Sequence, residues 1–127
     1  AVDCLWVDDA VDERTLLGVL NTTLTKALLE CWGRSEGGGA LQVMTYELET
    51  LPVPDPRSFS PATSEAIAAA TDGLLAGDRD AARRLDRLVL DAVDVDLSVE
   101  RCRELREEMV RRRVRTGQQA VAPLVEE

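Results

Sequence analysis

Histidine is absent from this chain, and lysine is represented once, by Lys26. Without histidine the commonest general base and the commonest neutral metal ligand are missing. Cysteine is scarce as well: Cys4, Cys31 and Cys102 are scattered, odd in number and never paired as CxxC. That spacing excludes a zinc site and a secreted disulfide framework. Each has apolar neighbours, so buried free thiols are expected. Aromatic residues make up 3% of the chain, so a core must be built from Leu, Val and Ala, which favours helices over a sheet sandwich. No apolar run approaches membrane-spanning length, and no charged-then-apolar signal segment opens the chain. A soluble, cytoplasmic protein without membrane contact, metal or cofactor is the expectation.

What is present is enough for one compact domain. The chain has 127 residues, of which 45% are hydrophobic, which excludes global disorder but leaves no room for a catalytic domain plus a reader. The net charge is −9, with fourteen Arg on the basic side. High Asp and Glu with almost no Lys is the composition of a chain selected in concentrated salt, or one encoded by GC-rich DNA. An acidic face that mimics DNA or binds a basic partner gives the same balance. Strong negative charge opposes nucleic-acid binding, less so in molar salt, where the field is screened within a few Å.

Val2 to Val7 alternates loosely and predicts a short strand, broken by Asp8-Asp9. A chain that opens on a strand suggests either a cut or an edge that pairs with another chain. From Asp12 to Trp32, Leu16, Leu20, Leu24, Leu28 and Cys31 recur at helical spacing. Asp12 is placed as N-cap and Gly33 as the residue just past the end. Asn21, Thr22, Thr23 and Thr25 weaken this helix, so tertiary packing must hold it. Arg34–Gly39 reads as a flexible loop, because three successive glycines have no side chain to anchor them. Leu41–Thr45 alternates as a strand, Tyr46–Thr50 suits one helical turn, and Pro52, Pro54 and Pro56 stop regular structure.

Ser60-Pro61 is a strong helix start. That helix runs to Ala76 and ends at Gly77. A second follows over Arg79–Val93 and a third after Ser98, with a short frayed tail beyond Gly117. The fold expected is mainly α with a minor β element (α+β): a small mixed α/β segment over 1–56, then a three-helix segment over 57–127. Leu16, Leu20, Leu24, Leu85, Leu88, Val89, Leu105 and Met109 are the expected buried set.

Two basic features remain. Arg111, Arg112, Arg113 and Arg115 end a run that also holds Arg101, Arg103 and Arg106, and the segment is locally positive despite Glu104, Glu107 and Glu108. It could lie on a phosphate backbone, or be a solvated face laced with i,i+4 ion pairs. No aromatics interleave, which argues against single-strand stacking. The other feature is Arg34-Ser35 beside Gly37, Gly38 and Gly39.

Leu16-Leu17, Leu20-Asn21-Thr22, Trp32-Gly33, Gly37-Gly38-Gly39 and Leu51-Pro52-Val53-Pro54 follow one another in an order that resembles the C-terminal specificity region of N6-adenine DNA methyltransferases of restriction–modification systems. Leu85-Asp86-x-Leu88-Val89 and the Arg-rich last helix resemble that family's C-terminal tail. The resemblance implies DNA contact from the loop. Arg34 and Ser35 would meet phosphate, the glycines would allow close backbone approach, and Gln42 would lie on the following strand. It also implies a catalytic chain or domain elsewhere. The family's Asn/Asp-Pro-Pro-Tyr/Phe loop and cofactor turn are missing here: the one Asn is Asn21, no Pro-Pro occurs, and the glycine run sits between helix and strand, the wrong order for a dinucleotide turn. Two functions therefore stand as expectations. One is a DNA-recognition fragment, non-catalytic alone; the other is a small helical interaction or dimerisation module without DNA binding. A homodimer is expected in either case, since two short strands leave their outer edges unpaired.

Overall fold

The computed structural model describes residues 7–35 and 37–126, with 116–126 described as backbone. The fold is mainly α with a minor β element. The expected strand over Val2–Val7 lies, except for Val7, outside the described residues.

Asp12 caps the first helix as expected. Its carboxylate accepts the amides of Arg14 and Thr15 at 2.8 and 3.2 Å. The single helix expected to Trp32 is instead two, α1 (Glu13–Leu20) and α2 (Thr23–Trp32). The break follows from side chains that compete with the backbone ladder. Asn21 Nδ2 donates to Leu17 O at 2.8 Å, and Thr22 Oγ1 donates to Val19 O at 2.8 Å. Thr22 then adopts an extended conformation and caps α2 by accepting the amide of Thr25. Because the helix restarts, the Leu16–Cys31 stripe does not stay inside. Val19 and Thr25 are buried, Leu16, Leu20, Leu24 and Leu28 are half-buried, and Cys31 is exposed. The expectation of a buried thiol thus holds for Cys102 and fails for Cys31, and Cys4 lies outside the described residues.

Gly33 ends α2 in an extended rather than left-handed conformation and leads directly into β1 (Arg34–Ser35). This strand pairs antiparallel with β2 (Leu41–Gln42), Arg34 opposite Gln42 and Ser35 opposite Leu41. The strand expected over Leu41–Thr45 is shorter because α3 (Thr45–Glu49) starts at once, with Glu47 turning back to the Met44 amide at 3.5 Å. Prolines halt helix formation after Leu51, apart from a short 3₁₀ turn at Pro56–Ser58.

Helix α4 (Pro61–Leu75) opens at Ser60-Pro61, the hydroxyl of Ser60 accepting the Thr63 amide. It ends before Gly77, which sits at φ 89°. Helix α5 covers Ala81–Ala92 and α6 covers Val99–Glu126, passing through Gly117 where a frayed tail was expected. Helix α1 packs on α4, α4 on α5, and α6 on α2 and the glycine turn. The last helix thereby joins the two segments proposed to either side of Pro56.

The core centres on Val19, Ile67, Ala70, Leu85 and Val89, with Leu24, Val53, Phe59, Leu74 and Leu88 against it. A second cluster joins Leu90, Val99 and Cys102. Of the expected buried set, Leu85 and Val89 are fully buried and the other six are half-buried. Gly18 lets α1 cross close to its neighbours, since an added Cβ would lie 2.4 Å from Thr71 Oγ1. Buried Asp86 ties three helices together. It accepts the amide and hydroxyl of Thr23 at 2.8 and 2.7 Å, at the positive end of α2, and faces Arg103 Nε at 3.2 Å.

Candidate interaction surface

The structure brings the two basic features together, and then uses most of their charge internally. The glycines do not form a free loop. Gly37–Gly39 is a 3₁₀ turn laid against α6, with Gly38 at φ 82° and Gly39 at φ 85°. An added Cβ on Gly39 would stand 3.0 Å from Val114 Cα. The close backbone approach that the resemblance reserved for phosphate is made by the protein's own helix.

Arg113 locks that arrangement. Its guanidinium forks onto Glu30 of α2, Nε to Oε2 at 2.8 Å and Nη2 to Oε1 at 2.9 Å, while Nη1 donates to Gly39 O. The pair is partly shielded from competing water, at 17% and 6% side-chain exposure. Hydrogen bonding to Glu30 raises the Arg113 pKa further above its ordinary range. Arg113 is therefore a structural clamp and is withdrawn from any phosphate.

The other expected site residues divide in the same way. Arg112 pairs with Glu108 one turn earlier at 2.6 Å, which is the solvated i,i+4 reading of this helix. Arg34 donates from Nε to Glu47 Oε1 at 2.9 Å, and its guanidinium lies 5.5 Å from the centroid of the Tyr46 ring. Ser35 and Gln42 are exposed on the hairpin, where Gln42 Nε2 donates to Met44 Sδ at 3.2 Å. Arg111 and Arg115, a helical turn apart and exposed, carry no ion pair among the described residues. With Val110 and Val114 they border an open hollow of about 710 Å³.

Large apolar side chains outside the expected site are exposed beside the hairpin. Trp32, Met44 and Tyr46 are exposed by 39%, 39% and 51%, in a chain with four aromatic residues. Trp32 ends α2 two residues before Arg34, Arg34 covers Tyr46, and Met44 is held by Gln42. Exposed Trp32, Arg34, Met44 and Tyr46 are thus all displayed on the hairpin and its two flanking helices. The signal was legible in principle: half of the aromatics fall within fifteen residues around the glycine run. Among the described residues no group of His, Cys, Asp or Glu is arranged to hold a metal, and no helix is long and apolar enough to cross a membrane. No family model, curated protein or solved structure matches this chain.

Proposed function

We propose that this chain is a non-catalytic interaction module whose α2–hairpin–α3 surface docks a second copy of itself. The observation that carries the reading is the exposure of Trp32, Arg34, Met44 and Tyr46 on adjoining elements. Aromatics, Met and Arg are the residue types enriched at protein interfaces and at their energetic hot spots. These side chains border a ladder of two-residue strands, whose outer edges can take a further strand. A twofold dimer would cover both the edge and the aromatic rings. Sedimentation equilibrium in high salt tests it. The expected result is a mass near twice 13.9 kDa for the wild type, falling to the monomer mass for the Trp32→Ala, Tyr46→Ala double variant. A wild type that stays at 13.9 kDa across the concentration range overturns it.

A second reading keeps the resemblance to the methyltransferase specificity region: a DNA-positioning fragment working with a separate catalytic chain. It is favoured by the packing of the glycine turn on α6, which places Arg34, Ser35 and Gln42 in the same part of the molecule as Arg111, Arg112 and Arg115. Duplex titrations at several salt concentrations decide it. DNA binding should fall steeply with salt, and replacing Arg111 and Arg115 by Ala should flatten the slope by about 1 for each phosphate that is no longer neutralised. Absence of binding at low salt would exclude this reading.

A further inference from the structure

A trough of about 640 Å³ runs between α4 and α5, on different elements from the surface just described. Its floor is Ala66, Ala69 and Ala70 of α4 with Leu88 of α5. Where facing helices usually fill such space with Leu or Ile, α4 offers methyl groups, so the volume stays open. The size falls within the roughly 300–1,000 Å³ of small-ligand clefts.

The rim is basic on a chain of net charge −9. Arg83, Arg84 and Arg87 line it, opposed among the lining residues by Asp80 alone. Arg84 is already engaged, with Nη2 on Asp78 Oδ2 at 2.9 Å, and that bond holds the Asp78 carboxyl below its usual pKa. Arg83 has a long, exposed pairing with Glu100 at 3.5 Å, of the kind that contributes little. Arg87 has no ion pair among the described residues, and it is exposed. Arg83 and Arg87 stand one helical turn apart, so their guanidinium groups can converge on one anion above an apolar floor.

We infer that this trough binds a small amphiphilic anion, a carboxylate with an unbranched apolar body, the chain resting on the alanines and Leu88 and the head group between Arg83 and Arg87. Charge complementarity selects the sign. An acidic protein repels anions in general and admits one only where positive charge is locally uncompensated. The inference does not depend on the proposed function, which uses another surface and other variants.

The test is titration of the full chain with decanoate below its micelle-forming concentration, followed by the backbone amide and alanine methyl resonances of α4 and α5. Decanol and decyltrimethylammonium serve as neutral and cationic controls. Saturable decanoate shifts confined to the trough are expected, with affinity about tenfold or more weaker for decanol and for the Arg83→Glu, Arg87→Glu variant, as loss of charged hydrogen bonds requires. Ala69→Trp, which fills the trough from an exposed position, should abolish binding while leaving the circular dichroism spectrum unchanged. Equal affinity for all three amphiphiles, no saturation, or unaltered binding in the folded Arg83→Glu, Arg87→Glu variant would overturn the inference. So would self-association lost in that variant without decanoate binding, which would assign the trough to a second copy.

Discussion

An alanine at position 18 would set its methyl 2.4 Å from Thr71 Oγ1 and 2.9 Å from Ile67 Cγ2, with Leu85 Cδ2 at 3.0 Å. All three are side-chain atoms in the packed centre of the molecule, so a methyl there forces strained rotamers or a shift of α4 and α5. Gly18→Ala should therefore destabilise the fold by about 1–3 kcal/mol despite its better helix propensity, as overpacking does. Urea unfolding measures it, and an unchanged or raised midpoint would refute the close crossing. The cysteines give a second residue-scale prediction. Burial pushes the Cys102 thiol above its ordinary pKa, helped by the charge of Asp86, whereas Cys31 is exposed. Iodoacetamide followed by peptide mapping should label Cys31 in the native protein and Cys102 only after unfolding. The same shift sets a pH trend. The unfolded chain loses the Cys102 proton first, so the stability that this thiol contributes is complete below the ordinary thiol pKa. It is lost as pH rises from there through the raised folded value.

At the scale of elements, α6 decides how the N-terminal half is presented. One side chain, Arg113, joins it both to α2 through Glu30 and to the glycine turn through Gly39. Arg113→Ala would leave the half-buried Glu30 carboxylate without its partner, at a cost of about 1–3 kcal/mol. Amide exchange through the turn and β2 should accelerate more than exchange in α4 and α5. Arg113→Lys should recover little, since an ammonium cannot make the fork. Uniform acceleration over all helices would mean that the clamp has no local role. The same element explains why DNA-contacting arginines could not be separated by reading the chain. Arg111, Arg112, Arg113 and Arg115 are alike in sequence, yet one is a half-buried clamp, one is paired along the helix, and two are free of ion pairs among the described residues.

For the whole molecule, the balance of charges sets the response to salt. The pairs Arg14–Asp72, Arg57–Asp55, Arg84–Asp78 and Arg101–Glu104 are exposed and individually weak. Salt screens them, but it also screens the self-repulsion of a net charge of −9, and the unbalanced charge dominates. The thermal midpoint should rise with KCl and level off near 1 M, where the Debye length is about 3 Å. A midpoint that falls steadily with salt would count against selection in concentrated salt. The more shielded Arg113–Glu30 and Arg103–Asp86 pairs should change less than the exposed ones.

Local chemistry was enough to read the helix starts at Asp12 and Ser60-Pro61, the turn at Gly77 and the short helix near Tyr46. Each is made by groups within a few residues of one another, so the local pattern dictates them, together with the mainly helical class that a Leu-, Val- and Ala-built core imposes. The break at Asn21-Thr22 was visible only as weakness. Whether a weakened helix bends or continues depends on what it packs against, and Asp86, 63 residues away, holds the new start at Thr23. The candidate surfaces were decided later still. Glu30 and Arg113 are 83 residues apart, the glycine turn meets α6 through a carbonyl, and the α4–α5 trough exists because alanines on one helix face leucine and arginines on another. Periodicity tells which residues share a face; only tertiary packing selects the face opposite, and with it which charges are neutralised and which remain available.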